Sequence, residues 1–391
     1  MTFVHHGMLR RSLSVAVLCF TAGCTATKAP ATPSGVSPPT ATSSRTVEVA
    51  PLVVSPYDDA QLAAQFERGR TLLLAEKYAE AAEIFDRLVR LAPNGEVAPP
   101  SLYNGAIAHE GLNERDAAIA RLLDLRERYP AHATARSALF RLGRLYAYLE
   151  RWSDLVRTSD RALALGDLTV LEAIEAHGGK ALGLVEQDDL DKASHEVGLA
   201  RDLIEEHRIG EAGRPPIELA EVSFSLGEIR RRKSERITFV PVPSNLADVI
   251  EQRCQGLLDA QNAYTEAMRS FDAHWSAMAG YRVGQLYQQL HRDVMQIPPP
   301  AKADTLKKKQ LFEGAMRLRY RVLLEKGLAL MDGTVRLGAR TGEESMWVSR
   351  AREAKRDLDL ALEDEKTALS KLPFTEAELT AALEQLKKPA P

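Results

Sequence analysis

Cysteine is scarce in this chain. Of 391 residues only three are cysteine, and two of them, Cys19 and Cys24, lie in an N-terminal segment described below. Cys254 is therefore alone in the main body, which excludes a disulfide framework within one chain. Because Cys254 lies in an apolar-periodic helical segment, we expect a buried small residue and not a reactive thiol.

The chain also lacks an excess of charge of one sign. It has 51 lysines and arginines against 54 aspartates and glutamates, a formal net charge of −3. Removal of residues 1–23 would take away Arg10 and Arg11 and no acid, so the charge would become −5. A mildly acidic chain of mixed sign is a poor candidate for binding nucleic acid. Beyond the N-terminal segment, no apolar run approaches the length needed to cross a bilayer.

Catalytic motifs are incomplete. Residues 176–180 resemble the end of a phosphate-binding loop, but Ile174 stands where that loop needs a glycine. Residues 290–293 resemble a kinase catalytic loop, with Pro298 at the position of the expected asparagine. The histidines show no paired metal-ligand spacing, and no Gly-x-Ser-x-Gly element is present. The sequence therefore predicts no enzyme activity, no cofactor and no metal.

The N-terminus has the pattern of an export signal. Arg10 and Arg11 precede an apolar run from Leu13 to Phe20, and small residues lead up to Cys24. A cysteine directly after Ala-Gly resembles the lipobox of bacterial lipoproteins, although Phe20 and Thr21 depart from the usual leucine. The resemblance implies that residues 1–23 are removed and that Cys24 is acylated. The alternative is an ordinary secretory signal in which Cys24 is incidental.

Residues 24–56 are rich in alanine, proline, serine and threonine. Such a segment buries too little apolar surface to offset its ordering entropy, so we expect a disordered tether. Its reach would be on the order of 30 Å. Thr25 is not the aspartate that marks inner-membrane retention in many lipoproteins. The expected location is an outer-membrane lipid anchor with the body in the periplasm.

An internal repeat of about 37 residues follows. The first copy has Gly69, Ala81, Phe85 and Pro93, and the others repeat these steps with departures at Leu155 and Ser159. The later copies have Ala106, Ala118, Leu122 and Pro130, then Gly143 and Ala162, then Ala181, Ala193 and Val197. This pattern resembles the tetratricopeptide repeat. The small residues would allow two helices to approach closely, and the prolines would stop the second helix.

The predicted fold is all-α, a tetratricopeptide-repeat right-handed helical solenoid, and the alternative is a generic helical bundle. Repeats are expected over residues 57–210, and degenerate repeats with an inserted non-helical loop at residues 237–243 over residues 211–300. Residues 301–391 should form C-terminal capping helices, interrupted near Gly333 and Gly342. Thr375 and Glu378 would cap the last short helix.

An aromatic residue stands three positions before the small residue in five copies, and the fourth copy has Gly178 there. These aromatics are Phe66, Tyr103, Phe140, Phe224 and Tyr281. With Arg70 and Arg144 beside it, this stripe would line a groove that binds partner proteins. The alternative is that the rings pack between neighbouring repeats and shape the core.

The combined pattern predicts a non-enzymatic envelope scaffold that binds other envelope proteins. From lipobox through repeats, the chain resembles outer-membrane repeat lipoproteins that serve secretion, pilus or motility assemblies. Residues 281–300 and 308–336 resemble the repeat lipoprotein of the myxobacterial gliding machinery. That resemblance implies partners in a trans-envelope motility complex. The alternatives are a pilot or assembly factor for an outer-membrane secretin or barrel protein, and an activator of a cell-wall enzyme.

Overall fold

The computed structural model describes residues 58–386. The predicted signal peptide, the predicted tether and Cys24 lie outside the described residues. The described chain consists of fourteen α-helices and contains no strand. The helices are α1 (Asp59–Leu74), α2 (Tyr78–Leu91), α3 (Ala98–Gly111), α4 (Arg115–Arg128), α5 (Ala133–Tyr148), α6 (Trp152–Leu163), α7 (Val170–Glu186), α8 (Leu190–Glu206), α9 (Glu218–Glu235), α10 (Leu246–Met268), α11 (Ala273–Met295), α12 (Leu306–Thr341), α13 (Met346–Ser370) and α14 (Glu376–Leu386). None of these helices has the length and apolar character of a transmembrane span.

The described chain divides into two compact units after Arg121, within α4. The first unit holds α1 to α3 and the start of α4. The second unit holds the rest of the chain to the end of α14. This division lies inside residues 57–210, and the domain borders near residues 210 and 300 stay predictions.

A left-handed residue recurs in the turn between the helices of each early pair. Glu76, Asn113, Glu150 and Asp188 have φ between 56° and 65°, and they are 37, 37 and 38 residues apart in sequence. In each turn the next backbone N–H donates to a carbonyl five residues earlier, as Lys77 does to Leu72. This geometry ends a helix by satisfying one of its free carbonyls. The fold is therefore an all-α tetratricopeptide-type repeat, which confirms the predicted fold class.

Small residues set the distance between paired helices. A Cβ atom added to Gly69 would lie 2.9 Å from the Phe85 ring, and one added to Gly227 would lie 2.6 Å from the Tyr264 ring. Phe85 is fully buried and also contacts Gly105 of α3, so it fills the space toward the next helix pair. The predicted close approach of the two helices in a pair is thus present in the structure.

The two departures in the third repeat have a packing explanation. Leu155 replaces the usual alanine, and a Cβ on Gly143 would still lie 3.9 Å from it, so the larger side chain fits. Ser159 replaces a large apolar residue, and the Cβ position of Gly179 on α7 is 2.9 Å from its hydroxyl. The smaller serine therefore allows α7 to approach α6 closely.

The later elements also follow the predicted order, with one exception. No helix forms between Glu235 and Leu246, where the inserted loop is expected. At the C-terminus, Thr375 and Glu378 make the reciprocal hydrogen bonds of a capping box.

The exception is helix α12, which is continuous through Gly333, so the predicted interruption there is wrong. A single glycine costs a helix only about 1 kcal/mol, and α12 packs closely along α11. The helix ends at Gly342, where φ is 75°.

A buried ion network connects α9, α10 and α11. The carboxylate of Glu228 is fully buried, and it accepts hydrogen bonds from Arg231 at 2.7 Å and from the Tyr264 hydroxyl at 2.8 Å. Arg282 Nε lies 2.6 Å from the same carboxylate. Burial alone would raise the pKa of Glu228, but the charges of Arg282 and Arg231 lower it. Glu228 is therefore ionised and structural.

We predict opposite effects for alanine at two helical glycines. Gly227→Ala should lower the free energy of unfolding by about 1–2 kcal/mol, because the new methyl group overlaps the buried Tyr264 ring. Gly333→Ala should raise it by about 0.5–1 kcal/mol, since Gly333 has open space around it and alanine favours the helix. Chemical denaturation of both variants measures these changes in the free energy of unfolding. Equal effects of the two substitutions would contradict the close-approach interpretation.

Candidate binding cleft of the second unit

Two residues of the predicted aromatic stripe lie in the core. Phe224 is fully buried, with its ring centroid 5.3 Å from that of Tyr264 and 6.5 Å from that of Trp347. Phe140 is 8% exposed and packs with Leu139 and other buried residues. A buried ring offers no surface to a partner, so the structure corrects the groove assignment for these two residues. Each ring fills space between successive helices, as the core alternative requires.

The other three rings of the stripe are half-buried. Phe66 meets Phe85 edge to face, with ring centroids 5.7 Å apart. Tyr103 packs against the same apolar cluster in the first unit. Tyr281 meets Trp347 edge to face at 5.6 Å in the second unit. These rings contribute to packing, and their role in partner binding stays a prediction.

The two arginines beside the stripe have different surroundings. Arg70 donates to both carboxylate oxygens of Glu67 on its own helix, at 2.8 and 2.9 Å. Arg144 on α5 donates to both oxygens of Glu175 on α7, at 2.7 and 2.9 Å. Such paired hydrogen bonds fix both side chains. The Arg144–Glu175 pair forms part of a cleft that the sequence analysis did not predict.

This cleft, which we call the first-helix cleft, lies between α5, α7, α9 and α11. These are the first helices of successive pairs, and each gives side chains to the same space of about 200 Å³. The charged and aromatic lining residues are Arg144, Tyr148, Glu175, Glu218, Glu221, Asp272, His274 and Trp275. Ala147 and Ile217 add apolar surface. Ile217 and the Arg144 side chain are 45% and 57% exposed, so the cleft is open to solvent.

Local sequence places the lining residues on the required faces. Arg144 and Tyr148 are four residues apart on α5, and Glu218 and Glu221 are three apart on α9, so each pair shares a helix face. On α11, the Asp272 side chain accepts a hydrogen bond from the backbone N–H of Trp275 at 2.9 Å. This N-cap begins the helix and fixes His274 and Trp275 in its first turn.

Glu221 is the most unusual group in the cleft. It is only 7% exposed, and its carboxyl group makes no hydrogen bond with any other described residue. It also lines a recess of about 20 Å³ beside Ser159 and Gly179. Burial, followed by the negative charge of Glu175, raises the pKa of Glu221 to about 8, against the opposing effect of Arg144. Glu221 is therefore mostly protonated at neutral pH.

Glu175 and Glu221 are both largely removed from solvent. Burial raises the pKa of Glu175 as well, although its hydrogen bonds with Arg144 oppose that shift. Gly178 of α7 is in close contact with Val222, and the Cβ position of Gly178 is 3.5 Å from the Cβ atom of Glu221. A larger residue at Gly178 would push α9 away. The close approach of α7 and α9 therefore brings the two carboxyl groups together.

An aromatic wall forms the other side of the cleft. The His274 ring stacks on Tyr148, with centroids 4.4 Å apart, and His274 Nδ1 is 3.3 Å from Glu343 Oε1. The Trp275 ring is tilted against Phe224, with centroids 5.6 Å apart. These contacts hold the wall in one arrangement, so the cleft is largely pre-formed.

Two residues of the phosphate-loop-like motif at 176–180, His177 and Lys180, have structural roles. Lys180 pairs with Asp160 at 3.0 Å and with Glu196 at 2.8 Å, and it lies inside α7. His177 Nδ1 is 2.7 Å from Glu196. Within residues 58–386, no group of three or more histidine, cysteine, aspartate or glutamate side chains is arranged to hold a metal ion. Cys254 is a half-buried free thiol, and burial raises its pKa.

A larger cavity of about 520 Å³ lies between α8, α9 and α10. Two of its arginines are already engaged, since Arg230 donates to the carbonyl of Asp259 and Arg269 pairs with Glu266. Unlike the first-helix cleft, this cavity has among its described lining residues no acid that is deeply buried without a hydrogen bond. We therefore treat the first-helix cleft as the candidate site.

No protein-family model matches the chain, and no curated protein matches its sequence. Among solved structures, the chain is similar to a tetratricopeptide repeat protein from Parabacteroides merdae, with 9% identity, 75% of this chain and 99% of that chain covered, and a TM-score of 0.41. It is also similar to the C-terminal part of a TPR repeat-containing protein from Cytophaga hutchinsonii, with 13% identity, coverage of 78% and 99%, and a TM-score of 0.38. A third is the TPR2AB domain of yeast Sti1 in complex with pHSP90, with 14% identity, coverage of 78% and 100%, and a TM-score of 0.25.

We predict that Glu221→Gln makes stability less dependent on pH. The folded pKa of about 8 lies above the ordinary value of 4.5, so between these values the native state binds more protons than the unfolded state. The contribution of Glu221 to the free energy of unfolding is complete below pH 4.5 and is lost as pH rises through 8. The free energy of unfolding should fall over this range by up to about 1.4 kcal/mol per pH unit. Glutamine cannot titrate, so the variant should lose this slope.

Chemical denaturation at several pH values between 5 and 8 measures the slope. Glu205→Gln, at an exposed position of α8, is the matched control and should behave as the unsubstituted protein does. Equal slopes for Glu221→Gln and the unsubstituted protein would show that Glu221 is ionised in the native state.

Proposed function

We propose that this protein is a non-enzymatic, lipid-anchored scaffold of the bacterial envelope that binds a segment of a partner protein in the first-helix cleft. One observation carries this proposal. Four successive first helices converge on one open cleft that contains a deeply buried acid, Glu221, whose carboxyl group has no hydrogen-bond partner within residues 58–386. A buried polar group without a partner is costly, and a bound partner that supplies the missing hydrogen bonds would offset this cost.

A tethered body suits this role. The N-terminal pattern predicts acylation at Cys24, and the residues up to 56 predict a tether on the order of 30 Å long. A lipid anchor keeps the body close to the membrane and raises its effective concentration near envelope partners. Binding of a partner would then need only moderate intrinsic affinity.

The specific complex that we propose is the trans-envelope gliding-motility machinery. The support is the resemblance of residues 281–300 and 308–336 to a repeat lipoprotein of that machinery. In the structure, the first segment covers most of α11 and the second most of α12. These helices approach each other closely where Gly284 meets Met331 and Gly327. A role as a pilot for a secretin or barrel protein is the alternative that the partner's identity would distinguish.

Cys24→Ala should release the protein from the membrane fraction. Acylation of Cys24 is the proposed anchor, and alanine has no thiol to carry an acyl chain. Cell fractionation with immunoblotting gives the readout, and metabolic labelling with an alkyne fatty acid shows the acyl chain directly. Cys254→Ala is the matched control and should remain both labelled and membrane-bound. Continued labelling of Cys24→Ala would refute lipidation at this residue.

A photo-crosslinking residue at Ile217 should capture the partner in living cells. Ile217 is exposed and lines the cleft, whereas Leu360 on α13 is 67% exposed and does not line it. The expected result is one adduct of defined mass at Ile217 and none at Leu360. Identification of a motility-complex protein in the adduct by mass spectrometry would support the gliding proposal. Identification of a secretin or barrel subunit would support the pilot alternative. The absence of any adduct at Ile217 would contradict the cleft as a partner site.

A further inference from the structure

We infer that the first-helix cleft receives a cationic side chain, lysine or arginine, from a basic segment of the partner, and that the Glu221 carboxylate pairs with it. This inference rests on the proposed function, because it specifies the chemistry of the partner at the same cleft. Its support comes from charge, from the state of Glu221 and from the shape of the cleft.

The charges of the cleft favour a cation. Four carboxyl groups line it, from Glu175, Glu218, Glu221 and Asp272, against the single guanidinium of Arg144. Arg144 donates two hydrogen bonds to Glu175 and so compensates the charge of one of the four acids. The remaining acids give the cleft an excess of negative charge when ionised. An acidic segment would be repelled, and a basic one attracted.

Glu221 marks the point where the cation would bind. Its carboxyl group is deeply buried, lines the cleft and has no hydrogen-bond partner among the described residues. An ammonium or guanidinium group would supply the missing donors in a desolvated place, where charge-assisted hydrogen bonds are strong. Binding then exchanges one proton for one cation: the carboxyl O–H proton goes to solvent, and the carboxylate accepts hydrogen bonds from the ligand.

The cleft also suits the methylene chain of such a residue. Its volume of about 200 Å³ is small, and Ala147, Ile217 and Trp275 give it apolar surface. Lysine and arginine place their methylene groups against apolar surface while the charged end makes polar contacts. The ring of Trp275 can add cation–π attraction. A single extended side chain therefore fits better than a bulky folded ligand.

Binding of short peptides to the full chain tests this inference. The probe is acetyl-Ala-Lys-Ala-amide, and acetyl-Ala-norleucine-Ala-amide is the uncharged match with a similar methylene chain. The readout is the indole N–H signal of Trp275 in NMR spectra, assigned by comparison with Trp275→Phe. The lysine peptide, and the arginine peptide likewise, should shift this signal. The norleucine peptide and a glutamate peptide should not.

The pH dependence and two variants make the test specific. Affinity for the lysine peptide should rise about tenfold between pH 7 and pH 9, because the carboxyl group must lose its proton. The groups that face Glu221 are Arg144 on α5, Glu175 on α7, Glu218 on its own helix, and Asp272 and His274 on α11. Glu221→Gln resembles the protonated acid, so it should weaken binding at least tenfold and remove the pH dependence, whereas Glu205→Gln should change neither.

Two results would overturn the inference: equal shifts by the lysine and norleucine peptides, or full binding by Glu221→Gln. These failures are distinguishable from failure of the proposed function. A partner captured at Ile217 together with no binding of the lysine peptide would reject the cation and keep the scaffold. Binding of the lysine peptide without any captured partner would reject the scaffold and keep the cation site.

Discussion

The close approach of neighbouring helices at small residues is the constraint on which the rest of this structure depends. Gly227 allows the Tyr264 ring to pack directly on the α9 backbone, and Gly284 does the same for Met331 on α11. Gly178 brings α7 against α9 by the same means. Because these helices lie so close, the first helices of four successive pairs can contribute side chains to one small cleft. Larger residues at these positions would separate the helices, and the charged and aromatic groups of the cleft with them.

Helix α9 carries two buried acids whose surroundings give them opposite states. Glu228 is surrounded by Arg231, Arg282 and the Tyr264 hydroxyl, so its pKa is lowered and its charge is compensated. The carboxyl group of Glu221, two turns earlier, is buried, faces Glu175 and accepts no hydrogen bond from another described residue, so its pKa is raised. A compensated buried charge holds helices together, whereas an uncompensated acid beside an open cleft is available to a ligand. This contrast distinguishes a structural network from a binding site on the same helix.

The fold was largely predictable from the sequence, and the cleft was not. The step of twelve residues from Gly69 to Ala81 reports contacts within one helix pair, which are local in sequence and recur with the repeat. The residues that share the cleft with Glu221 lie up to about 80 positions away in sequence, and no periodic pattern records which of them are charged. The aromatic stripe shows the same limit, since repeat alignment identified equivalent positions but could not say that Phe140 and Phe224 are buried. One signal was available: Glu221 lies between Ala220 and Val222, in a segment where most neighbours are apolar.

The sequence by itself determined the helical repeat, its period of about 37 residues, the inserted loop and the capping box at Thr375, because propensity, small-residue spacing and caps act over short distances along the chain. It also carries the predictions of a signal, a lipid anchor at Cys24 and a tether. Tertiary structure alone decided that α12 continues through Gly333 and that four first helices share one acidic cleft. It also decided that Arg230, Arg231 and Arg232 of α9 donate hydrogen bonds to other residues of the chain. The physical reason is that burial and charge compensation depend on neighbours in space, which packing supplies and sequence order does not.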